Sequence, residues 1–225
     1  MITPFIKGEI DWPAFENLVE WQIDNGTHAL VPCGTTGESP TLSHDEHMSI
    51  VKRCVEIVKG RIPVIAGCGS NSTSEAIALT RFAKDIGADA ALICAPYYNK
   101  PTQDGIYAHF EAIHNAVDLP IIVYNIPGRC IVDIDIDTMA KLAKLKNIVG
   151  VKDATSDLTR PIEARQIIGE DFCQLSGDDC TYAGFLAHGG VGCISVLSNI
   201  LPKQCVQMYD AWVARDFDQF AKLRD

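Results

Sequence analysis

The residue best suited to covalent chemistry is Lys152, which ends the otherwise apolar run Ile148–Lys152. The stem of such a lysine lies among apolar side chains. Burial disfavours the charged amine and lowers its pKa from about 10.4 toward roughly 7–8. A neutral amine in a pocket can attack a ketone and form a Schiff base. The alternative is a structural lysine whose amine reaches the surface and pairs with Asp153.

Four hydroxyl side chains lie at the ends of three predicted strands: Thr35, Thr36, Tyr98 and Tyr124. Schiff-base chemistry moves protons several times, so hydroxyls close to a reactive lysine could relay them. Tyr98 and its neighbour Tyr97 could instead form a contact between subunits, and the two roles are compatible. The segment Gly34–Ser39 could be an ordinary glycine turn, although the backbone amides of such a turn can also hold a carboxylate.

Short apolar runs rich in β-branched residues alternate with segments of helical pattern along the chain. They predict strands at Ile2–Phe5, His28–Pro32, Ile62–Ala66, Ala90–Cys94, Pro120–Tyr124, Ile148–Lys152, Phe172–Leu175 and Val191–Val196. Nearly continuous apolar runs are typical of parallel strands covered on both faces. Eight strand–helix units in 225 residues favour an α/β fold of the (β/α)8 TIM-barrel type, which has roughly 250 residues. A Rossmann-like sheet is the alternative, but the first strand is not followed by GxGxxG.

Polar segments predict where several helices begin. Ser43–Glu46 and Ser72–Glu75 each have the serine and glutamate of a capping box, and Asp11 precedes a proline. The last predicted helix, Lys203–Ala214, would be the eighth of the barrel. Because no linker, charge run or low-complexity segment divides the chain, we expect a single domain over residues 1–225.

The composition excludes several classes of protein. A net charge of −10 and a pI near 5.0 argue against nucleic-acid binding. Glycines and polar residues interrupt the uncharged stretch Cys180–Pro202, so we expect a helix, a turn and a short strand there rather than a membrane span. The nine cysteines form no CxxC pair, which favours reduced cysteines in a cytoplasmic protein.

Six motifs at the ends of predicted strands resemble those of a known family. They are GTTGES (34–39), PYYNKPTQ (96–103), YNIPGR (124–129), GVKDATSDL (150–158), LSGDD (175–179) and GGVGCISV (189–196). In this order and spacing, they resemble the dihydrodipicolinate synthase family, which are pyruvate-dependent class I aldolases of the N-acetylneuraminate lyase group. The resemblance covers essentially the whole chain.

The resemblance implies a lyase that condenses pyruvate with L-aspartate 4-semialdehyde to give 4-hydroxy-tetrahydrodipicolinate, on the diaminopimelate route to lysine. Lys152 would form the Schiff base with pyruvate, and Tyr124 would donate and accept protons beside it. Thr35 and Tyr98 would complete the relay, with Tyr98 reaching into the site of a neighbouring subunit. This covalent mechanism implies no metal and no organic cofactor.

The same resemblance implies the substrate-binding groups. The pyruvate carboxylate would be held by Thr36, Gly177 and Ile194, and the semialdehyde carboxylate by Arg129, whose guanidinium suits bidentate pairing. Alternatively, Arg129 could stabilise its own loop by pairing with Asp133. Two other functions remain open, namely another pyruvate-dependent aldolase acting on 2-keto-3-deoxy sugar acids, and a catalytically silent barrel that senses pyruvate or lysine.

A feedback site for L-lysine is also implied by the resemblance, at Ser39, Pro40, His44, His47, Asn71, Glu75 and Tyr97. Taken alone, His44 and His47 would lie on an exposed helix face, and without a third ligand they predict no metal site. The resemblance further implies a homo-oligomer, a dimer of dimers. We expect the chain to be truncated at both ends relative to the family, without its C-terminal helical extension.

Overall fold

A computed structural model describes residues 1–225 and shows a parallel sheet of six strands in sequential order. A short antiparallel hairpin, β1 (Phe5–Ile6) and β2 (Glu9–Ile10), precedes the sheet. The six strands are β3 (Ile65–Gly67), β4 (Ala90–Cys94), β5 (Ile121–Asn125), β6 (Ile148–Asp153), β7 (Cys173–Ser176) and β8 (Gly192–Cys193). Because all six are parallel, their carboxyl ends lie at the same end of the sheet.

Helices follow the strands and cover the outside of the sheet. They are α1 (Trp12–Asp24), α2 (His44–Val58), α3 (Thr73–Asp85), α4 (Gln103–Ala116), α5 (Pro127–Cys130), α6 (Ile136–Leu142), α7 (Arg160–Ile168), α8 (Tyr182–Ala187), α9 (Pro202–Val213) and α10 (Phe217–Arg224). Two short 3-10 helices lie at Ser39–Thr41 and Leu197–Asn199. The main core packs between this helical layer and the strands, around side chains such as Phe15, Ile50 and Phe110.

A second, inner core shows that the sheet curls into a barrel. Apolar side chains from six different segments meet in one cluster, formed by Val31, Ile65, Ala90, Leu92, Ile122 and Tyr124 with Leu175 and Ile194 packed against it. Flat sheets do not bring side chains of distant strands together, whereas a barrel interior does. Neighbouring residues of the same strands, such as Ile93 and Val123, belong instead to the outer core. The predicted α/β barrel is therefore confirmed.

The first two predicted strands differ from the structure. The segment predicted at Ile2–Phe5 is not a strand of the parallel sheet, because the chain there turns into the β1–β2 hairpin. The segment predicted at His28–Pro32 joins the sheet only through a parallel bridge between Leu30 and Val64. It nevertheless has the hydrogen bonds of an edge strand, since the Leu30 carbonyl accepts from the Ile65 amide at 2.9 Å.

All three predicted helix starts are confirmed, but only two of them have the predicted side-chain cap. Ser43 and Glu46 form the full capping box of α2, and the Asp11 carboxylate accepts from the Ala14 amide at the start of α1. The capping box predicted at Ser72–Glu75 is wrong, because the Ser72 side chain makes no cap bond. Glu75 contacts Ser70 and His44 instead.

The C-terminal part of the chain is close to the prediction. Helix α9 begins and ends one residue before the predicted Lys203–Ala214, and a further helix, α10, packs against it through Trp212 and Phe220. The uncharged stretch Cys180–Pro202 forms α8, β8 and a 3-10 helix, as its glycines indicated. None of the helices combines the length and apolar character needed to cross a bilayer. All nine cysteines are free thiols.

Candidate active site

Lys152 lies at the carboxyl end of β6 with only 7% of its surface exposed. Its Nζ is 4.1 Å from the centre of the Tyr124 ring, and it forms no ion pair. The predicted alternative partner, Asp153, pairs with Arg160 at 2.9 Å. Burial lowers the pKa of the Lys152 amine to about 8, although the nearby Cys193 and Asp179 act in the opposite direction. A substantial neutral fraction of this amine is therefore present near neutral pH.

Tyr124 is buried near the end of β5. The strand register pairs it with Lys152 on the neighbouring strand β6. Burial raises the pKa of the Tyr124 phenol, while the Thr35 hydroxyl and the charge of Arg129 act to lower it. The phenol consequently holds its proton at neutral pH and can donate it. Thr35, Tyr124 and Lys152 thus lie together at the carboxyl end of the barrel.

The turn that carries Thr35 and Thr36 presents unused backbone donors. Its carbonyls at Gly34 and Thr35 accept from the amides of Gly37 and Glu38. The amides of Thr35 and Thr36 donate to no group of the chain. Successive free amides in a turn form a concave site that suits an anion.

Gly177 and Ile194 border Lys152 from the neighbouring strand ends. A Cβ atom at Gly177 would lie 3.1 Å from Lys152 Cε and 2.7 Å from Ala154 Cβ, so a larger residue would displace the lysine side chain. The amides of Gly177 and Ile194 already donate to the Asp153 and Ser176 carbonyls at 2.6 and 2.9 Å. These two residues can therefore shape the site, but their amides cannot bind a carboxylate.

Arg129 lies in the short helix α5, and its guanidinium makes no hydrogen bond or ion pair within the chain. Its predicted alternative partner, Asp133, instead accepts from Asn125 at 2.7 Å and contacts Arg160 at 3.3 Å. The Arg129 guanidinium borders a cavity of about 470 Å³, together with Thr35 and Tyr124. An exposed cation at the mouth of a cavity is well placed to bind a carboxylate.

The same cavity extends to most of the residues predicted for the lysine site. It is lined by Ser39, Pro40, His44, His47, Glu75 and Tyr97. The His44 ring contacts Glu75, and the buried His47 donates from Nε2 to the Gly67 carbonyl at 2.7 Å. The prediction of an exposed helix face is wrong for His47, which is buried, and right for His44, which is exposed. Burial also lowers the pKa of His47. Asn71 does not line the cavity, and its carbonyl accepts a long 3.4 Å bond from Asn99.

Tyr98 lies apart from this chain's own site. Its side chain is 86% exposed, it does not line the cavity, and its backbone φ is +72°. A left-handed φ is uncommon for a tyrosine and indicates a conformation imposed by its surroundings.

Three polar residues behind the site are not among the site residues predicted from the motifs. Asn125, Asp133 and Arg160 form a hydrogen-bonded network on the outer side of the strands that carry Tyr124 and Lys152. The available signal was Asn125 itself, since a buried amide in an apolar strand requires hydrogen-bond partners.

The possible metal ligands and the second cavity also bear on where the reaction takes place. No three His, Cys, Asp or Glu side chains lie close enough together to hold a metal ion. A second cavity of about 470 Å³ lies among Leu30, β8 and α9, but neither Lys152, Tyr124 nor Thr35 lines it. Lys152 lines neither cavity, but its neighbour Tyr124 and Thr35 line the first one, so the first cavity is the one beside the reactive lysine.

Comparison with known proteins identifies the family. The family model described as the dihydrodipicolinate synthetase family matches residues 1–225. The chain belongs to this family. A curated relative from Rhodospirillum centenum, 4-hydroxy-tetrahydrodipicolinate synthase, is 64% identical over 225 residues, which are 100% of this chain and 77% of the relative. This agreement confirms the predicted family and the predicted synthase, a lyase.

Solved structures of the same family superimpose on the whole chain. Dihydrodipicolinate synthase from Acinetobacter baumannii, complexed with pyruvate, has a TM-score of 0.96 and 48% identity, and 77% of that chain is covered. The enzyme from Cyanidioschyzon merolae, with lysine bound, has a TM-score of 0.95 and 39% identity, again with 77% of that chain covered. The family therefore includes members that bind pyruvate and members that bind lysine.

Proposed function

We propose that the Lys152 amine attacks the keto carbon of pyruvate, so that the carbonyl oxygen leaves as water and a Schiff base remains. Loss of a methyl proton then gives an enamine, whose carbon attacks the aldehyde of L-aspartate 4-semialdehyde. The amino group that came from the semialdehyde then attacks the imine carbon and closes the ring. The bond between that carbon and Lys152 breaks, and the proton lost by the attacking amine passes to the departing lysine amine, so that the free amine is restored. The observation that carries this proposal is a buried lysine with a pKa of about 8, no ion-pair partner and Tyr124 at its side.

Tyr124 and Thr35 serve as the proton relay in this proposal. The raised pKa of Tyr124 keeps its phenol protonated, so it can donate to the departing hydroxyl and later recover a proton. The Thr35 hydroxyl is the neighbour that passes the proton on. This mechanism uses the protein amine as its only covalent catalyst and includes no metal or organic cofactor.

The carboxylates of the two substrates bind at opposite sides of the reacting carbon. The free amides of the Thr35–Thr36 turn and the Thr36 hydroxyl hold pyruvate, with Gly177 and Ile194 shaping the space around it. Arg129 holds the semialdehyde, because its unpaired guanidinium borders the cavity. A dedicated carboxylate partner for the second substrate favours this aldehyde over the sugar-acid aldolase alternative.

Tyr98 completes the relay in the site of another copy of this chain. Its exposure and left-handed backbone support this role, since the side chain extends away from its own barrel. An oligomer, which we propose to be a dimer of dimers, is then required for full activity. We place the enzyme in the cytoplasm, where pyruvate is available.

L-Lysine is the proposed feedback inhibitor, bound where His44 and Glu75 face the cavity. The Glu75 carboxylate, whose pKa is lowered by its Ser70 contact, stays ionised and suits the lysine amine. The lysine-bound relative from Cyanidioschyzon merolae supports a lysine site in this fold.

A substrate panel tests the proposed function. The chain should consume L-aspartate 4-semialdehyde only when pyruvate is present, and Lys152→Ala should abolish this consumption. Cleavage of 2-keto-3-deoxy sugar acids without use of the semialdehyde would establish the alternative aldolase. Binding of pyruvate or lysine without turnover by the folded wild-type chain would establish a sensor.

A further inference from the structure

Arg160 is the centre of a buried network directly behind the reaction site. Its guanidinium donates to Asp153 Oδ2 at 2.9 Å, to Asp133 Oδ2 at 3.3 Å and to the Ile134 carbonyl at 2.6 Å. The Arg160 side chain is 11% exposed and that of Asp153 is 8% exposed. The interactions of such a pair are screened far less by water than those of a surface ion pair.

The network touches both strands that carry the reactive groups. Asp153 follows Lys152 on β6, and Asn125 follows Tyr124 on β5, where register pairs Asn125 with Asp153. Successive side chains of a strand point to opposite faces, so the reactive groups face inward and the network faces outward. Thr155 also donates to Asp153 through its amide at 2.9 Å and through its hydroxyl at 2.6 Å, which fixes that carboxylate further.

The other side of the network holds the segment that follows Arg129. Asn125 donates to Asp133 at 2.7 Å and accepts from the Ile134 amide at 3.1 Å. Between Arg129 and these anchors lies Ile131, a β-branched residue with a backbone φ of +69°. Such a conformation is unfavourable for isoleucine and persists only where surrounding contacts enforce it.

The Arg129 guanidinium has no hydrogen-bond or ion-pair partner in the chain, and only its backbone amide donates, to the Ile126 carbonyl at 3.0 Å. Its position relative to Lys152 therefore depends on backbone contacts and on the anchors a few residues further along. Arg160 connects these anchors to β6, since one guanidinium bonds Asp153 on the strand and both Asp133 and Ile134 on the segment.

We propose that Arg160 is a positioning residue for the second substrate: it fixes the segment carrying Arg129 at a set distance from the lysine on β6. This inference rests on the proposed function of Arg129 and Lys152. Arg160 takes no part in the chemistry. Displacing a substrate-binding group by about 1 Å can lower the reaction rate by as much as about 100-fold.

Two variants and a control test this proposal in the full chain. Arg160→Gln removes the connection, whereas Asp133→Ala removes one of its two bonds to the segment and leaves the bond to the Ile134 carbonyl and the Asp153–Arg160 pair. Arg165→Gln is the control, because Arg165 lies on the same helix and pairs with Glu170 at the surface. Each is measured for borohydride trapping of pyruvate, for kcat and for KM of the semialdehyde.

We expect Arg160→Gln to raise KM for the semialdehyde by about 10-fold or more and Asp133→Ala to raise it by a smaller factor of about 3-fold, with pyruvate trapping unchanged and Arg165→Gln like wild type. Arg160→Lys should recover part of the loss, since it keeps the charge but not the forked geometry. If Arg160→Gln fails to fold, Asp133→Ala decides. A wild-type KM in folded variants, with only a lower melting temperature, overturns the proposal. Loss of trapping in the wild-type chain would instead contradict the proposed function.

Discussion

The Lys152 amine is buried at the end of β6 without an ion-pair partner, so its charged form is poorly solvated. Its pKa is about 8 in the folded chain, against an ordinary value of 10.5. The unfolded chain therefore binds more protons than the folded chain between these two values, and stability rises with pH across that window. Below pH 8 the full cost of charging the buried amine is present.

Replacing this lysine by an apolar residue should stabilise the protein while abolishing its activity. Lys152→Met should raise the free energy of unfolding at pH 7 by about 1–3 kcal/mol, and the gain should shrink as the pH rises above 8. Urea unfolding at pH 7 and pH 9.5 measures this difference. Lys203→Met, at an exposed position of α9, is the control and should change little. A destabilised Lys152→Met, or a gain that grows with pH, would contradict the electrostatic argument.

Arg129 should separate the two substrates. Because its guanidinium is unpaired and borders the cavity, Arg129→Ala should weaken use of the semialdehyde by about 1.5–3 kcal/mol for each charged hydrogen bond lost. Pyruvate trapping at Lys152 should remain. Steady-state kinetics and trapping, run side by side, provide the measurement. An equal loss of both steps would show that Arg129 supports the loop rather than the second substrate.

At the level of helices and strands, sequence patterns correctly predicted the features that depend on residues close together in the chain. The apolar runs located six strands to within a few residues, and Ser43 marked the start of α2. The failures came from tertiary contacts. Glu75 does not cap α3 because its carboxylate contacts His44, which lies on α2, and Ser70, which lies five residues earlier in the chain.

The two serines provide a matched test of helix capping. Ser43→Ala should lower the free energy of unfolding by about 1 kcal/mol, because it removes the hydroxyl that accepts a hydrogen bond from the Glu46 amide at the start of α2. Ser72→Ala should have a much smaller effect, since that side chain makes no cap bond. Denaturant unfolding of both variants measures the difference. Equal costs would mean that the two helix starts are held in the same way.

The site itself was predictable only in part from sequence. Lys152 was identifiable because one charge ends an apolar strand, and a hydroxyl turn can be read from GTTGES. The network around Arg160 was not, since Arg160 lies 27 residues from Asp133 and 26 from Ile134 in sequence and meets them only through folding. The same holds for the exposure of Tyr98, which sequence alone does not reveal.

For the whole molecule, one cavity joins the two proposed relay residues beside Lys152 to the proposed lysine site. Thr35 and Tyr124 line one part of it and His44 and Glu75 another, within about 470 Å³. Ser39 ends the turn that carries Thr35, so a ligand held there can shift the proton relay. Couplings of this kind are typically about 1–3 kcal/mol, which corresponds to partial inhibition.

Lysine should therefore inhibit the enzyme through Glu75. Wild-type activity should fall in millimolar lysine, and Glu75→Ala should remain active but lose the inhibition, because the partner of the lysine amine is gone. Asp45→Ala removes a nearby exposed carboxylate and should stay sensitive, which makes it the control. Activity assays over a lysine series provide the measurement. A Glu75 variant inhibited as strongly as wild type would contradict this site.

The central claim is that Lys152 forms the covalent intermediate, and borohydride reduction in the presence of pyruvate tests it most directly. Reduction makes a Schiff base permanent, so intact mass counts the adducts and peptide mapping locates them. We predict one adduct per chain, on Lys152. An adduct on Lys100 or Lys141, or none on a chain shown to be folded, would contradict the mechanism.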